Sequence, residues 1–582
     1  MMKKVLSYLK PYWFIAIWSP IFMVGEVLID LELPTVMAQI VNEGIINGGG
    51  MDVILPMGIK MLIYVILGGI FGVGAAFFAS YASQNFGNSL RKSAFAKVMS
   101  LSIEQTDDFT TGSLVTRMTN DISMVQQFVA TGLRMFFRSP IFFVGGIIKA
   151  LALNARFGIV IAVTIPIQLI VVLFVVGKVR PMFDAVQKKL DKVNSVVQEN
   201  VTGARVVKAY VREEHENERF DAANKDLSVT MFKIQKLMAL LSPFMMIVLN
   251  FAVIALIAVG GKQVSEVGGI LVGDIMAAVT YISQILMSMM MISMIFQSFS
   301  RASASARRIE EVLDAEPAVV EGHGADGANG EKGCVTFENV SFRYPDSPEN
   351  SAPVLSGINL DIKQGENVAI LGATGSGKTS LVNLIPRFYD VTGGRVLLDG
   401  EDVRDYSFDA LRSKVALVLQ KSELFSGTVA ENLRWGNPEA SDAELKKAAE
   451  IAQADGFIES FNEGYDTMIA EKGASLSGGQ KQRLSIARAI LKKPEIIIFD
   501  DSMSALDLKT SARLSAALRS EMADTTVITI AQRVASVMNA DRIVVLDGGG
   551  ISAVGTHAEL LETSDVYRDI YNSQLKRGES IE

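Results

Sequence analysis

Six long apolar stretches constrain this chain more than anything else in it: residues 14–37, 53–81, 128–153, 157–179, 237–259 and 275–299. Each is near or above the ~20 residues that an α-helix needs to cross a bilayer. A buried soluble core would not supply six, so the first half is expected to span a membrane six times. Basic residues set the orientation, because they collect on the cytosolic side. Lys3, Lys4 and Lys10 precede the first stretch, Arg91, Lys92, Lys97 and Arg117 follow the second, and ten more, from Lys178 to Lys225, lie between the fourth and fifth. The loop 47–52 has none, the turn at Asn154 has Arg156, and the loop 261–273 has Lys262. Both ends of the membrane domain therefore face the cytosol. Residues 1–10 resemble the basic start of a signal peptide. The apolar run behind them is long, includes Glu26 and Asp30 and shows no small-residue cleavage site, so it reads as a retained first span.

The cytosolic segments 83–127 and 180–236 are far longer than a connection between neighbouring helices requires. Their mixed apolar and charged pattern predicts helices that continue out of the membrane as stalks. Within the spans, Glu26 and Asp30 lie four apart on one helical face with Glu32 nearby. Carboxylates are costly in a bilayer, so they either serve a function, or simply pair with neighbouring helices or sit at an outward-facing, hydrated level, and the second, structural reading is favoured. Met287, Met289, Met290, Met291 and Met294 in the last span, with Phe244, Met245 and Met246 in the fifth, give a weak pointer to a wall that accepts apolar ligands.

Beyond the spans the chemistry changes. Residues up to Val320 include 28 basic against 24 acidic, and those beyond it 27 against 39, so the slightly basic half is the apolar one and nucleic-acid binding has no electrostatic footprint. One cysteine and three histidines (His215, His323, His557) exclude a disulfide scaffold and leave little for a metal site built on those residues. The glycine-rich stretch 315–333 reads as a linker. After it, short apolar runs alternate with helical patterns, which predicts an α/β domain over 334–582. An apolar strand there leads into Gly372-Ala-Thr374-Gly375-Ser376-Gly377-Lys378-Thr379-Ser380. Such a loop closes backbone N–H groups around phosphates, the lysine neutralises the outer ones, and the Thr379 hydroxyl can ligate Mg²⁺. The buried-strand run Ile496-Ile-Ile-Phe499 ends in Asp500, a second candidate for the metal.

Between these lies Leu476-Ser477-Gly478-Gly479-Gln480, just ahead of a helical pattern. With this motif the chain resembles the ABC transporter family over essentially its whole length, as an exporter-type half-transporter: a helical polytopic membrane domain (1–314), a linker (315–333) and an α/β P-loop nucleotide-binding domain (334–582). The resemblance implies that ATP is bound by Tyr344, Gly372, Thr374, Gly375, Ser376, Gly377, Lys378, Thr379, Ser380 and Gln420, with Mg²⁺ at Thr379, Gln420 and Asp500. It implies that Ser477, Gly478, Gly479 and Gln480 contact ATP held by a partner, with Glu471 and Asp507 at the dimer seam. Segments 102–109 and 213–218 resemble the coupling helices, and the location implied is a bacterial plasma membrane.

Two positions depart from the family pattern. Asp501 stands where the family has the glutamate that polarises the attacking water, and Gln532 where it usually has a histidine. A carboxylate one methylene short sits wrongly for an in-line water, and glutamine carries no proton. None of the three histidines can fill that switch position. The expectation is a heterodimer in which a second half-transporter supplies the competent chemistry and this chain supplies an intact signature. Import of an amphipathic cargo such as a siderophore, or a nucleotide-gated regulator that does not pump, are the alternatives.

Overall fold

The computed structural model describes residues 2–264, 270–322, 324, 332–348, 351–504 and 506–578. His323, part of the 315–333 stretch and Ala505 lie outside the described residues. The chain divides into two compact units, Met1–Met99 with Gly112–Asp314, and Ser100–Thr111 with Ala315–Glu582.

In the first unit, the helices Gly50–Ser100, Thr111–Leu153, Phe157–Thr202, Glu213–Val264 and Val272–Ile292 are long and apolar enough to cross a membrane. A bent pair, Met2–Ala16 and Trp18–Ile46, makes a sixth, with 56° between its members. The break falls where Pro20 has no N–H to give the carbonyl of Ala16. Gly50–Ser100 and Glu213–Val264 run 51 and 52 residues. At ~1.5 Å per residue that is roughly 75 Å, against ~30 Å of hydrocarbon, so the continuous stalks expected from the mixed pattern are present.

The span carboxylates are paired with a neighbouring helix. Arg138, from the helix Ile122–Leu153, donates to Glu26 Oε1 and reaches Asp30 Oδ2 at 3.4 Å, while Lys149 of the same helix meets Glu32 at 2.5 Å. Room for this comes from Gly72, where a Cβ would lie 3.1 Å from Glu26 Oε2. Breaking such a pair leaves an uncompensated charge, which is why the partners stand opposite one another. Further along the first span, Pro34 interrupts the helical ladder, and the buried Tyr281 donates its hydroxyl to Leu31 O at 2.7 Å. The methionine set does not share one environment: Met287, Met294 and Met246 are exposed and Met245 is buried.

A short helix forms over Ile103–Phe109, capped by Ser102 and Gln105. The second segment differs from expectation. Residues 213–218 begin the long helix Glu213–Val264, and the short helix lies earlier, at Ala204–Ala209. Gly203 ends the preceding helix, Val211 at φ 53 turns the chain, and Glu213, Glu214 and Glu216 suit the positive start of the next helix.

The second unit is built on a six-stranded sheet in the order Gly550–Gly555, Arg542–Asp547, Asn367–Gly372, Thr526–Ile530, Ile496–Asp500, Val415–Val418. All neighbours pair in parallel except the first two. All five residues of Ile496–Asp500 are buried, as a strand covered on both faces requires. An antiparallel sheet, Leu355–Ile362, Val335–Phe342, Gly393–Leu398 and Glu401–Asp402, packs beside it through Phe337, Ile358 and Leu398.

Candidate functional site

Parallel strands deliver their following loops to one edge of a sheet, and here that edge carries the chemistry. Asn367–Gly372 runs into the glycine loop, Ile496–Asp500 ends on Asp500 beside Ile530, and Gln532 follows Thr526–Ile530. The loop needs its glycines at two turns: Gly375 has φ 86 and Gly377 has φ 93, and a Cβ on Gly377 would lie 2.7 Å from Leu355 Cδ2.

A cleft of about 390 Å³ opens above this edge. It is lined by Tyr344, Thr374, Gly375, Gly377, Lys378, Thr379, Ser380, Gln420, Asp500, Asp501 and Gln532, together with Val354 and Ile530. The last two were missed by reading motifs, because an apolar residue at a strand end carries no pattern that separates wall from core. Gly372 and Ser376 do not line the cleft. Ser376 is buried under the loop, and a Cβ on Gly372 would lie 2.3 Å from Leu546 O.

Lys378 is buried and folded back on its own loop, with Nζ donating to Gly372 O at 2.8 Å and Ala373 O at 2.7 Å. Burial lowers its pKa, opposed by the nearby charges of Asp501 and Asp500. Thr379 donates to Asp500 Oδ1 at 2.9 Å. Burial raises the Asp500 carboxyl, the Thr379 bond lowers it, and the Asp501 charge raises it again. The hydroxyl, carboxylate and amide oxygens of Thr379, Asp500 and Gln420 form an all-oxygen donor set of the kind Mg²⁺ takes with waters and phosphates. Asp501, in a left-handed backbone at φ 48, accepts at Oδ2 from Gln420 Nε2 at 3.1 Å and from Gln532 Nε2 at 2.8 Å. Tyr344 sets its hydroxyl 2.9 Å from Ser380 Oγ, and its ring is held edge-on by Phe342 and Tyr389.

The remaining predicted residues stand outside that cleft. Ser477 caps the helix Gly478–Leu491, its hydroxyl accepting from Gln480 N while Gln480 Oε1 accepts from Ser477 N at 2.9 Å. The Gln480 side chain is thus engaged in capping. Ser477 and Gly478 are exposed, with nothing within 4 Å of a Cβ on Gly478. Asp507 caps Leu508–Glu521, and its carboxyl is lowered by hydrogen bonds from the Thr510 hydroxyl and backbone. Glu471 lies exposed in a single turn, Glu471–Gly473. His215 is exposed, and His557 pairs with the Tyr567 hydroxyl at 2.7 Å.

Comparison with known proteins meets this geometry at both ends of the chain. Residues 16–289 match the family of the ABC transporter transmembrane region and residues 355–504 the ABC transporter family. The uncharacterized ABC transporter ATP-binding protein YfiB of Bacillus subtilis is 38% identical over 577 residues, 99% of each chain. An ATP-dependent lipid A-core flippase of Syntrophus aciditrophicus is 33% identical, covering 90% of this chain and 87% of its own. YgaD of B. subtilis, named as a candidate multidrug export ATP-binding/permease protein, is 32% identical over 98% and 99%. The structure of a bacterial Atm1-family ABC exporter with ATP bound aligns at a TM-score of 0.77 and 26% identity, over 97% of this chain and 98% of that one. A membrane domain and a nucleotide-binding domain in one chain, shared end to end with such relatives, mean that this protein belongs to the ABC exporter half-transporters, as a multi-pass membrane, ATP-hydrolysing transporter.

Proposed function

We propose that this chain is one subunit of a heterodimeric ATP-driven exporter of hydrophobic, drug-like or lipid compounds. The observation that carries the reading is a contrast inside one domain. Its phosphate cleft gathers Lys378, Thr379 and Asp500 with Asp501 and Gln532, the two departures from the family pattern, hydrogen-bonded at 2.8 Å. Its Ser477 helix start is well formed and lies outside that cleft.

In this reading the adenine stacks on Tyr344, the loop 372–380 cradles the phosphates, and Lys378 leaves its own carbonyls to meet them. Mg²⁺, held by Thr379, Asp500 and Gln420, supplies charge neutralisation to the phosphates. Asp501 takes the proton of the attacking water slowly, because its carboxylate starts one methylene short of the family's glutamate. The signature residues 477–480 serve ATP held by a second half-transporter, and that chain's signature completes this cleft. Two exposed apolar features support a requirement for a second chain. Val206, Tyr210 and Val211 project at the short helix Ala204–Ala209, and Leu419 stands exposed beside the stacked pair Phe425 and Trp435, whose rings are 4.1 Å apart. The relatives named for lipid A-core flipping and multidrug export support the substrate class.

The test is ATP turnover of the purified chain, alone and co-purified with the half-transporter encoded beside it. Slow turnover alone and brisk turnover in the pair are expected, and brisk turnover in a proven homodimer overturns the heterodimer. Uphill accumulation in proteoliposomes containing the pair excludes a gated channel, and its direction separates export from import.

A further inference from the structure

The carboxylate of Asp501 is gripped from both sides. Its strand, Ile496–Asp500, lies between Val415–Val418 and Thr526–Ile530, and the residues Gln420 and Gln532 that follow those two neighbours both donate to one oxygen, Oδ2. Oδ1 takes no part in either bond. The backbone below is tied as well: Asp501 N donates to Ile530 O at 3.1 Å, and the Ser504 hydroxyl donates to Asp501 O at 2.7 Å.

Gln532 is fixed in turn by a residue that lies in no motif. Gln574, in the helix Asp565–Gly578, donates from Nε2 to Gln532 O at 2.7 Å and accepts at Oε1 from Val534 N at 2.8 Å. A single side-chain amide therefore braces the backbone on both sides of Arg533. This run of bonds, Gln574 to Gln532 to Asp501 to Gln420, links the last described helix to the loops that follow the last three strands of the sheet.

We propose that Gln574 is a positioning residue for hydrolysis in this cleft: by bracing residues 532–534 it holds the Gln532 amide against Asp501 and so fixes which carboxylate oxygen faces the attacking water. The inference rests on the ATP-hydrolysing reading of the cleft given above. Gln574 reaches the cleft through its hydrogen bond to Gln532 O, so its effect belongs in the rate and not in nucleotide affinity. A carboxylate one methylene (about 1.5 Å) longer at position 501 is expected to move its oxygens off the two amides, toward the ~3.2 Å limit of a good hydrogen bond or past it. The brace then has nothing to hold.

The experiment is single-turnover hydrolysis of radiolabelled Mg·ATP in lipid nanodiscs by the full chain co-purified with its partner half-transporter, the partner's own catalytic glutamate replaced by glutamine so that this chain's cleft is the one read, comparing wild type, Gln574→Leu, Asp501→Glu and the double variant of this chain. Gln574→Leu is expected to slow hydrolysis about fivefold at unchanged Kd for ATP, and by less than about twofold in the Asp501→Glu background. Gln574→Glu keeps the acceptor for Val534 N–H but not the donor for Gln532 O, and is expected to slow the wild-type chain similarly. An equal factor in both backgrounds, a faster Gln574→Leu, a fall in ATP affinity together with melting temperature, or no hydrolysis by wild type with ATP bound overturns the proposal. Failure of wild type to bind Mg·ATP instead overturns the reading of the cleft itself.

Discussion

The nucleotide-binding unit has two edges to which the proposed function assigns nucleotide, and they are built in opposite ways. The cleft around Lys378 is lined from several strand ends, and its charged groups are turned on one another: Lys378 on its own loop carbonyls, Thr379 on Asp500, and two glutamines on Asp501. The edge at Ser477 is local, a reciprocal capping box at the start of a 14-residue helix, with Ser477 and Gly478 open to solvent. In the proposed function Lys378 leaves its loop carbonyls to meet phosphate, whereas Ser477 and Gln480 keep their side chains in the capping box and leave Gly478 open to solvent. This difference teaches where departures from a family pattern can settle. Asp501 and Gln532 satisfy each other inside the chain, while the signature, which would serve a nucleotide on another chain, has kept its pattern.

The comparison can be broken first at Lys378. Lys378→Ala is expected to weaken Mg·ATP binding about 100-fold in a fluorescent-nucleotide titration, because a buried charge-assisted contact to phosphate is lost. Retention of wild-type affinity would mean that the cleft is not the binding edge. At the other edge, Gly479→Asp is expected to lower turnover of the co-purified pair about tenfold or more by setting a carboxylate where an anion is received, while leaving the Kd for ATP in this chain's cleft unchanged. A matching loss of affinity in both clefts would erase the distinction between the edges. Asp501→Glu sharpens it from the other side, with single-turnover hydrolysis rising about tenfold as the carboxylate reaches the water position.

Acidity separates the edges more gently. Burial raises the Asp500 carboxyl above the ordinary aspartate range, so on acidification it takes up its proton at a higher pH than an exposed aspartate. The neutral acid no longer suits a divalent cation, and Mg²⁺-dependent nucleotide binding is expected to decline as pH falls, before the exposed Asp507, whose carboxyl is lowered by its capping bonds, is protonated. Binding titrations at descending pH in the presence and absence of Mg²⁺ check this sign. The smallest effect is Ser477→Ala, which removes half of a capping box and is expected to cost about 1 kcal/mol of stability, read as a modest fall in melting temperature with cleft affinity intact.

Much of this protein was legible because the relevant physics is local. A run of some twenty apolar residues is long enough for a bilayer wherever it occurs. A strand, a glycine loop and a lysine specify a phosphate cradle within nine residues, and Ser477 with Gln480 specifies a helix start within four. The six spans, the stalks, the α/β domain and the Lys378, Thr379 and Asp500 members of the cleft follow from such patterns, whereas Tyr344, Gln420, Asp501 and Gln532 were placed by the family resemblance and Val354 and Ile530 carried no signal. Position along a turn was less legible: 213–218 looked like a cytosolic tip, yet the positive φ of Val211 and the acidic first turn make it the start of a helix and leave the tip at Ala204–Ala209.

Partnership across the chain belonged to the tertiary structure alone. Glu26 and Arg138 are 112 residues apart, Gln420 and Asp501 are 81 apart, and Gln532 and Gln574 are 42 apart. Nothing in the spacing of one member predicts the other, because the path of the chain between them sets their distance. By itself the sequence determined a six-span membrane domain joined to a nucleotide-binding unit and exposed Asp501 and Gln532 as its departures. Folding decided that these two residues hold each other, and that Gln574 holds the backbone of Gln532, because a hydrogen bond forms only where the backbone has already brought donor and acceptor within about 3 Å.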